Sequence, residues 1–202
     1  MFNLTRRPRQ RPRQQQGSAD RADILWLTNI PTPYTEPVWR ELTTMCRFQV
    51  ACLAGNERNR DWSIDTTGLD LTVLDAPPIR LGYERTVYGP SVRLARLMVR
   101  RPRVVIVDGW ESLAALQTLM TAKVLRIPLL LSYWSTETTH RYREGPVAAY
   151  RRWFFRQAAT VLTPGAAATA AVIKQDVPAE RVVTGIASVD VARFAEALTR
   201  RS

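Results

Sequence analysis

Short apolar runs alternate with longer amphipathic ones along almost the whole chain, and this alternation constrains the fold more than any other feature. Asp23 to Thr28, Phe48 to Ala54, Leu69 to Leu74, Arg103 to Asp108, Ile127 to Tyr133, Thr160 to Thr163 and Arg181 to Thr184 each span four to seven residues between turn formers. Runs of that length fit strands buried on both faces, as in parallel sheets. Between them, Thr35 to Cys46, the segment opened by Pro90, Leu113 to Leu125, Pro146 to Ala158 and Ala166 to Gln175 read as helices. Spacings of three and four predict that Val38, Leu42 and Met45 face the sheet from the first helix, Leu94, Leu97 and Met98 from the second, and Leu116, Leu119 and Met120 from the third. Strands and helices alternating this way require right-handed crossovers, so the predicted class is α/β, a doubly wound parallel sheet of about seven strands.

A chain of 202 residues suits one domain with a sizeable core. Residues 1–20 hold five Arg and little that is apolar, and are predicted to be a disordered basic arm. Residues 21–188 are the predicted globular domain and 189–202 a hinge-like segment. Gly55 to Gly68 and Asp75 to Gly89 read as long irregular loops, the first of them polar.

The formal charge of +11 would suit a nucleic acid or a membrane surface. Only Lys123 and Lys174 among the 29 basic residues are Lys, however, and such an Arg bias also follows from a GC-rich genome. Cys46 and Cys52 read as small buried apolar residues of a reduced compartment. With His140 as the one histidine, they make no zinc-ligand set. No apolar stretch follows Arg6 to Arg13 to form a secretory signal, and none approaches the roughly 18 residues of a spanning helix. The expectation is a cytoplasmic protein, soluble or peripherally bound to the inner membrane face.

The turn after the first strand, Asn29 to Pro33, contains no glycine. A dinucleotide site needs glycines there so that backbone can approach the pyrophosphate. No P-loop, Gly-x-Ser-x-Gly elbow or metal-ligand spacing occurs elsewhere. Dehydrogenase, nucleoside triphosphatase and serine hydrolase readings therefore lack support.

Four stretches in register resemble another group, the retaining glycosyltransferases of GT-B fold (glycosyltransferase family 4-like). Ile24 to Tyr34 resembles the opening of their amino-terminal domain, and Val104 to Trp110 their fourth strand and turn. Ala159 to Gly165 resembles their sixth strand, and Val189 to Phe194 their interdomain hinge, V-D-x-x-x-F. The resemblance implies a Rossmann-like, acceptor-binding half of a hexosyltransferase-type enzyme. In such enzymes the other half binds the nucleotide sugar, and transfer occurs in the cleft between the halves without a metal or other cofactor. The family's E-x7-E carboxylates of the donor half are not found in these residues. The chain alone is therefore expected not to transfer sugar, and its expected partners are a sugar or lipid-linked acceptor and a separate donor-domain polypeptide.

Within this half, the resemblance directs attention to the strand ends. Ser135, Glu137 and His140 follow the fifth apolar run, where the family often places a His near the transferred sugar, and Glu137 and His140 are the candidate catalytic residues. Asn29, Thr32 and Tyr34 stand on the proline-stiffened first turn and suit acceptor contact. Asp108 and Glu111 flank Gly109-Trp110, where carboxylates can accept hydrogen bonds from sugar hydroxyls and Trp110 can add contact. Arg58 and Trp62 in the polar loop suit an anionic or glycan acceptor. Gly165 opens a helix whose free N–H groups attract an anion. Simple turn chemistry, helix-dipole preference at Glu111 and an exposed polar loop account for the same residues without function.

A second function class is membrane association without catalysis, through the arm, the Arg93, Arg96 and Arg100 face, and the Tyr150 to Arg156 helix. Nucleic-acid binding is unlike this sequence, because no helix-turn-helix, RRM or OB pattern is present and no aromatics interleave with the arm's arginines.

Overall fold

The computed structural model describes residues 21–57, 60, 64–81, 85–139, 142–187 and 191. The predicted arm and nearly all of the hinge-like segment lie outside these residues. So do three of the candidate site residues, Arg58, Trp62 and His140.

Among the described residues nine strands and five α-helices follow one another: β1 (Ile24–Thr28), α1 (Glu36–Met45), β2 (Phe48–Cys52), β3 (Leu71–Val73), β4 (Pro78–Leu81), β5 (Arg85–Tyr88), α2 (Val92–Val99), β6 (Val104–Asp108), α3 (Leu113–Leu125), β7 (Leu129–Ser132), α4 (Pro146–Gln157), β8 (Thr160–Thr163), α5 (Ala166–Ile173) and β9 (Val182–Thr184). Seven of the strands form one parallel sheet in the order β3-β2-β1-β6-β7-β8-β9. These are the seven apolar runs of the sequence. The order reverses between β1 and β6, which pair directly with Leu27 opposite Val107. Ligands of open α/β sheets bind beyond the carboxyl ends of the strands at such a reversal.

Alternation along the strands divides the core in two. Leu25 and Leu27, Val105 and Val107, Leu129 and Leu131, and Val161 join one cluster with residues of α2 to α5, including Met98, Leu119, Phe154, Phe155 and Val172. Trp26, Phe48, Val50, Cys52 and Ile106 point to the other face and meet Trp39 of α1. Trp26 lies edge-on to both Trp39 and Phe48, at 6.5 and 6.1 Å between ring centres. Cys52 is fully buried and burial pushes its thiol up to about 12, in keeping with a small apolar role.

Several helix faces differ from the sequence expectation. On α1 the residues most deeply buried are Trp39 and Glu36, and Met45 is 71% exposed. The buried arc is centred between Trp39 and Leu42, so Met45 falls on its margin, and Glu36 is balanced by an ion pair with Arg40 one turn on. On α3 the packed residues are Ala114, Ala115, Thr118, Leu119 and Ala122. Small side chains let that helix lie close to its neighbours, which leaves Leu116 half-buried and Met120 exposed.

Asp75 to Gly89 is not a wholly irregular loop. β4 and β5 pair antiparallel as a separate two-stranded ribbon, Ile79 opposite Val87. An isolated ribbon accepts Pro78 at its first position, where no further strand needs the missing N–H. Gly89 closes the ribbon because a Cβ there would lie 2.8 Å from Pro77 Cγ.

On α4 only part of the basic and aromatic run reaches the surface, with Arg152 half-buried and Arg156 exposed. Arg151, Phe154 and Phe155 are buried against the sheet, and Tyr150 and Trp153 pack on the same core.

Candidate acceptor cleft

The carboxyl ends of β1 and β6 bring Thr28 and Asp108 to the edge of the sheet, and the turns that follow build two adjoining spaces around them. The first, of about 240 Å³, is lined by Asn29, Thr32, Tyr34, Glu57, Arg60 and Asp108, with Thr28 and Ile30. The second, of about 170 Å³, has apolar walls from Trp26, Val38, Trp134 and Ile186, and shares Tyr34 and Asp108 with the first.

Asp108 is the fixed point of both. Its Oδ2 accepts a hydrogen bond of 2.9 Å from Trp26 Nε1 on the neighbouring strand. Its Oδ1 is shielded from solvent and has no hydrogen-bond partner among the described residues. Burial is the dominant influence and raises the carboxyl above its ordinary range, against the opposing effect of Trp26 and the nearby Ser132 and Thr28 hydroxyls. Gly109 follows with φ +82°, a left-handed turn that glycine adopts without steric cost.

The first turn is held by its own hydroxyls. Thr32 and Thr35 exchange a 2.8 Å hydrogen bond, and the carbonyl of Thr32 accepts from the backbone of Thr35 and Glu36 at 3.2 and 3.1 Å. Thr32 therefore lines the cleft while closing the turn that leads into α1, whose N-cap is Thr35. Tyr34 projects from this turn with half its surface exposed. Across the cleft, Glu57 is held from below, because the buried Tyr88 of β5 donates its hydroxyl to Glu57 Oε1 at 2.9 Å. Burial, followed by the adjacent Glu57, pushes the Tyr88 hydroxyl well above the usual tyrosine range.

Asn29, Thr32, Tyr34 and Asp108 are thus brought together, and the other described candidates are not. Trp110 is buried, 5.6 Å from Tyr150 between ring centres and 5.9 Å from the Arg151 guanidinium, so it is a core residue facing α4. Glu111 is exposed on the turn into α3. Ser135 lies half-buried beside Tyr133. Glu137 is exposed and ion-paired with Lys174 at the end of α5. Gly165 precedes α5 with an extended backbone, and its carbonyl accepts from Thr169 at 3.1 Å. None of these five lines either space. Glu57 and Arg60 were not chosen from the sequence, although the polar loop that carries them was. Their signal was position only, since nothing in the loop marks which of its charges turns inward. Among the described residues, no three His, Cys, Asp or Glu side chains converge as a metal set would.

A family model described as a glycosyl transferase 4-like domain matches residues 31–184. The chain belongs to this family. No curated protein sequence matches this chain. Among solved structures, it is similar to Anabaena Alr3699/HepE in complex with UDP-glucose, with 14% identity and a TM-score of 0.55 over 85% of this chain and 45% of that one. It is also similar to a UDP-N-acetylglucosamine 2-epimerase, with 16% identity and a TM-score of 0.52 over 80% of this chain and 47% of that one. A third is S. aureus MnaA with UDP, with 14% identity and a TM-score of 0.51 over 80% of this chain and 42% of that one. At these identities the likeness shows the fold, a Rossmann-like half of GT-B type. The glycosyl transferase 4-like domain spans just under half the length of each of these structures. Among its described residues no helix is long and apolar enough to cross a membrane.

Proposed function

We propose that this chain is the acceptor-binding half of a hexosyltransferase-type enzyme, and that the cleft between β1 and β6 holds a hydroxyl-rich acceptor. The observation that carries this reading is the cleft's position at the strand-order reversal, with Asp108, Glu57 and Asn29 as acceptors and Asn29, Arg60 and Tyr34 as donors around it. Asp108 and Glu57 accept hydrogen bonds from sugar hydroxyls, and the half-exposed ring of Tyr34 covers their CH faces. The nucleotide sugar is carried by a donor domain on the opposite side of the cleft, in a separate polypeptide or in a continuation of this one. No metal or cofactor has a part in this reading. Glu137 and His140 belong to it only if the donor side brings the transferred sugar to the β7 turn.

Ligand-observed NMR with methyl glycosides tests the reading. Saturation transfer to at least one methyl hexoside, reduced about tenfold in affinity by Asn29→Ala or Tyr34→Ala, supports it; no transfer from any hexoside overturns it. The chain alone, given nucleotide sugars and an acceptor, is expected to show no turnover.

A lipid-linked acceptor would place the protein on the inner membrane face, and α2 favours that extension. Val92, Arg96, Val99 and Arg100 are all exposed and share one arc of the helix, opposite the buried Leu94, Leu97 and Met98. Basic residues near an anionic surface contribute about 1 kcal/mol each. Salt-sensitive pelleting with vesicles containing anionic lipid, lost in Arg96→Glu/Arg100→Glu, is the expected result.

A further inference from the structure

We infer that the ligand of this cleft is an amphiphile, whose apolar arm occupies the second space beside Asp108. The inference rests on the acceptor reading and adds to it the chemical class of the group attached to the sugar. Three features of the structure carry it.

The first is the contrast between adjoining walls. On one side of the Tyr34 and Asp108 partition stand Asn29, Thr32, Glu57 and Arg60, and on the other Trp26, Val38, Trp134 and Ile186. A purely polar sugar would fill the first space and leave the second to water, which apolar walls hold poorly.

The second is size. The two spaces together offer roughly 400 Å³, within the range of small-ligand sites, whereas either alone falls below it. The smaller one accommodates a single ring or a short branched alkyl group. It does not take a second hexose with its hydroxyls satisfied, because among the described residues that line it the polar side chains, the two committed indoles apart, are those of the shared partition and Thr35.

The third is exposure. Trp134 is 53% exposed although its Nε1 is already committed to Ser132 Oγ at 3.0 Å. An indole with its one donor satisfied within its own turn presents an apolar face to whatever enters. Tyr34, 52% exposed, lines both spaces and forms the sill between them. A glycoside seated with its sugar against Asn29 and Glu57 therefore directs its substituent toward Val38 and Trp134.

The test compares methyl and 4-nitrophenyl glycosides of glucose, galactose, mannose and N-acetylglucosamine, measured by ligand-observed NMR and calorimetry on the full chain. For at least one sugar, the aryl glycoside is expected to bind about tenfold tighter than the methyl glycoside, as burial of one ring face warrants. Trp134→Ala and Val38→Asp are each expected to erase that difference while leaving the methyl glycoside affinity unchanged. The exposure of Trp134 makes its variant safe for folding if Val38→Asp is not. Methyl glycosides that bind with no aryl advantage overturn this inference and leave the acceptor reading standing. An aryl advantage that survives both substitutions overturns it as well, placing the ring elsewhere. The same holds if Val38→Asp changes stability but not aryl binding, because the ring then does not lie against Val38. If neither class of glycoside binds, the acceptor reading fails and this inference with it.

Discussion

Trp26 Nε1 and Asp108 Oδ2 lie 2.9 Å apart across two paired strands, although 82 positions separate them in the chain. The bond ties the end of β1 to the end of β6 at the point where strand order reverses. It fixes the carboxylate between a polar and an apolar space.

Removing this donor should be costly. Trp26→Phe keeps most of the packing against Trp39 and Phe48 but removes the 2.9 Å donor to Asp108 Oδ2. A loss of about 2 kcal/mol in urea unfolding is expected. In a double-mutant cycle with Asp108→Ala the two losses should not add, since each removes this one interaction.

The buried carboxyl gives stability a pH dependence of defined sign. Its folded pKa is raised above the unfolded value, so the folded state holds the proton more tightly. That contribution is fully present below the ordinary value of 3.8 and is lost as pH rises through the folded pKa. Asp108→Asn cannot lose a proton. Thermal melts should therefore show this variant gaining on the natural protein at pH 7 relative to pH 4.

Tyr88 supports the cleft without entering it. Tyr88→Phe should cost about 1 kcal/mol of stability and free Glu57 to turn into solvent. A several-fold loss in binding of whichever methyl glycoside the cleft accepts is expected in titration, and Glu57→Gln should show a similar loss with Tyr88 intact.

Arg151 is a buried cation held by Gln175 at 3.2 Å and by the face of Trp110. Arg151→Lys keeps the charge but not the planar group that stacks and bonds, and should lose about 2 kcal/mol. Arg151→Met should lose less than Arg151→Lys in the same denaturation series, because it leaves no unmatched charge inside.

Arg126 ends α3 in the left-handed conformation, with φ +55°. Glycine adopts that conformation without the Cβ penalty, so Arg126→Gly is expected to raise stability by about 0.5–1 kcal/mol, read as a higher urea midpoint with an unchanged slope.

The sequence by itself determined the sheet. Seven apolar runs became seven parallel strands because central strands covered on both faces are apolar along most of their length, and runs of four to seven residues between turn formers are too short for buried helices. The family was legible too, since turn and strand-end motifs are local and keep their order. The ribbon at Pro78–Leu81 and Arg85–Tyr88 was not legible, because its prolines suit a loop equally well and its pairing needs no buried face. Tertiary structure alone decided which strand-end residues meet. Trp110 and Asp108 stand two positions apart, yet one turns into the core and the other lines the cleft, through the left-handed step at Gly109. Glu57 entered the site because a tyrosine from the ribbon holds it there, a contact 31 positions long that no local pattern encodes. Periodicity reports which face of an element is buried. Convergence of side chains from different elements depends on packing, and packing is settled only when the whole chain has folded.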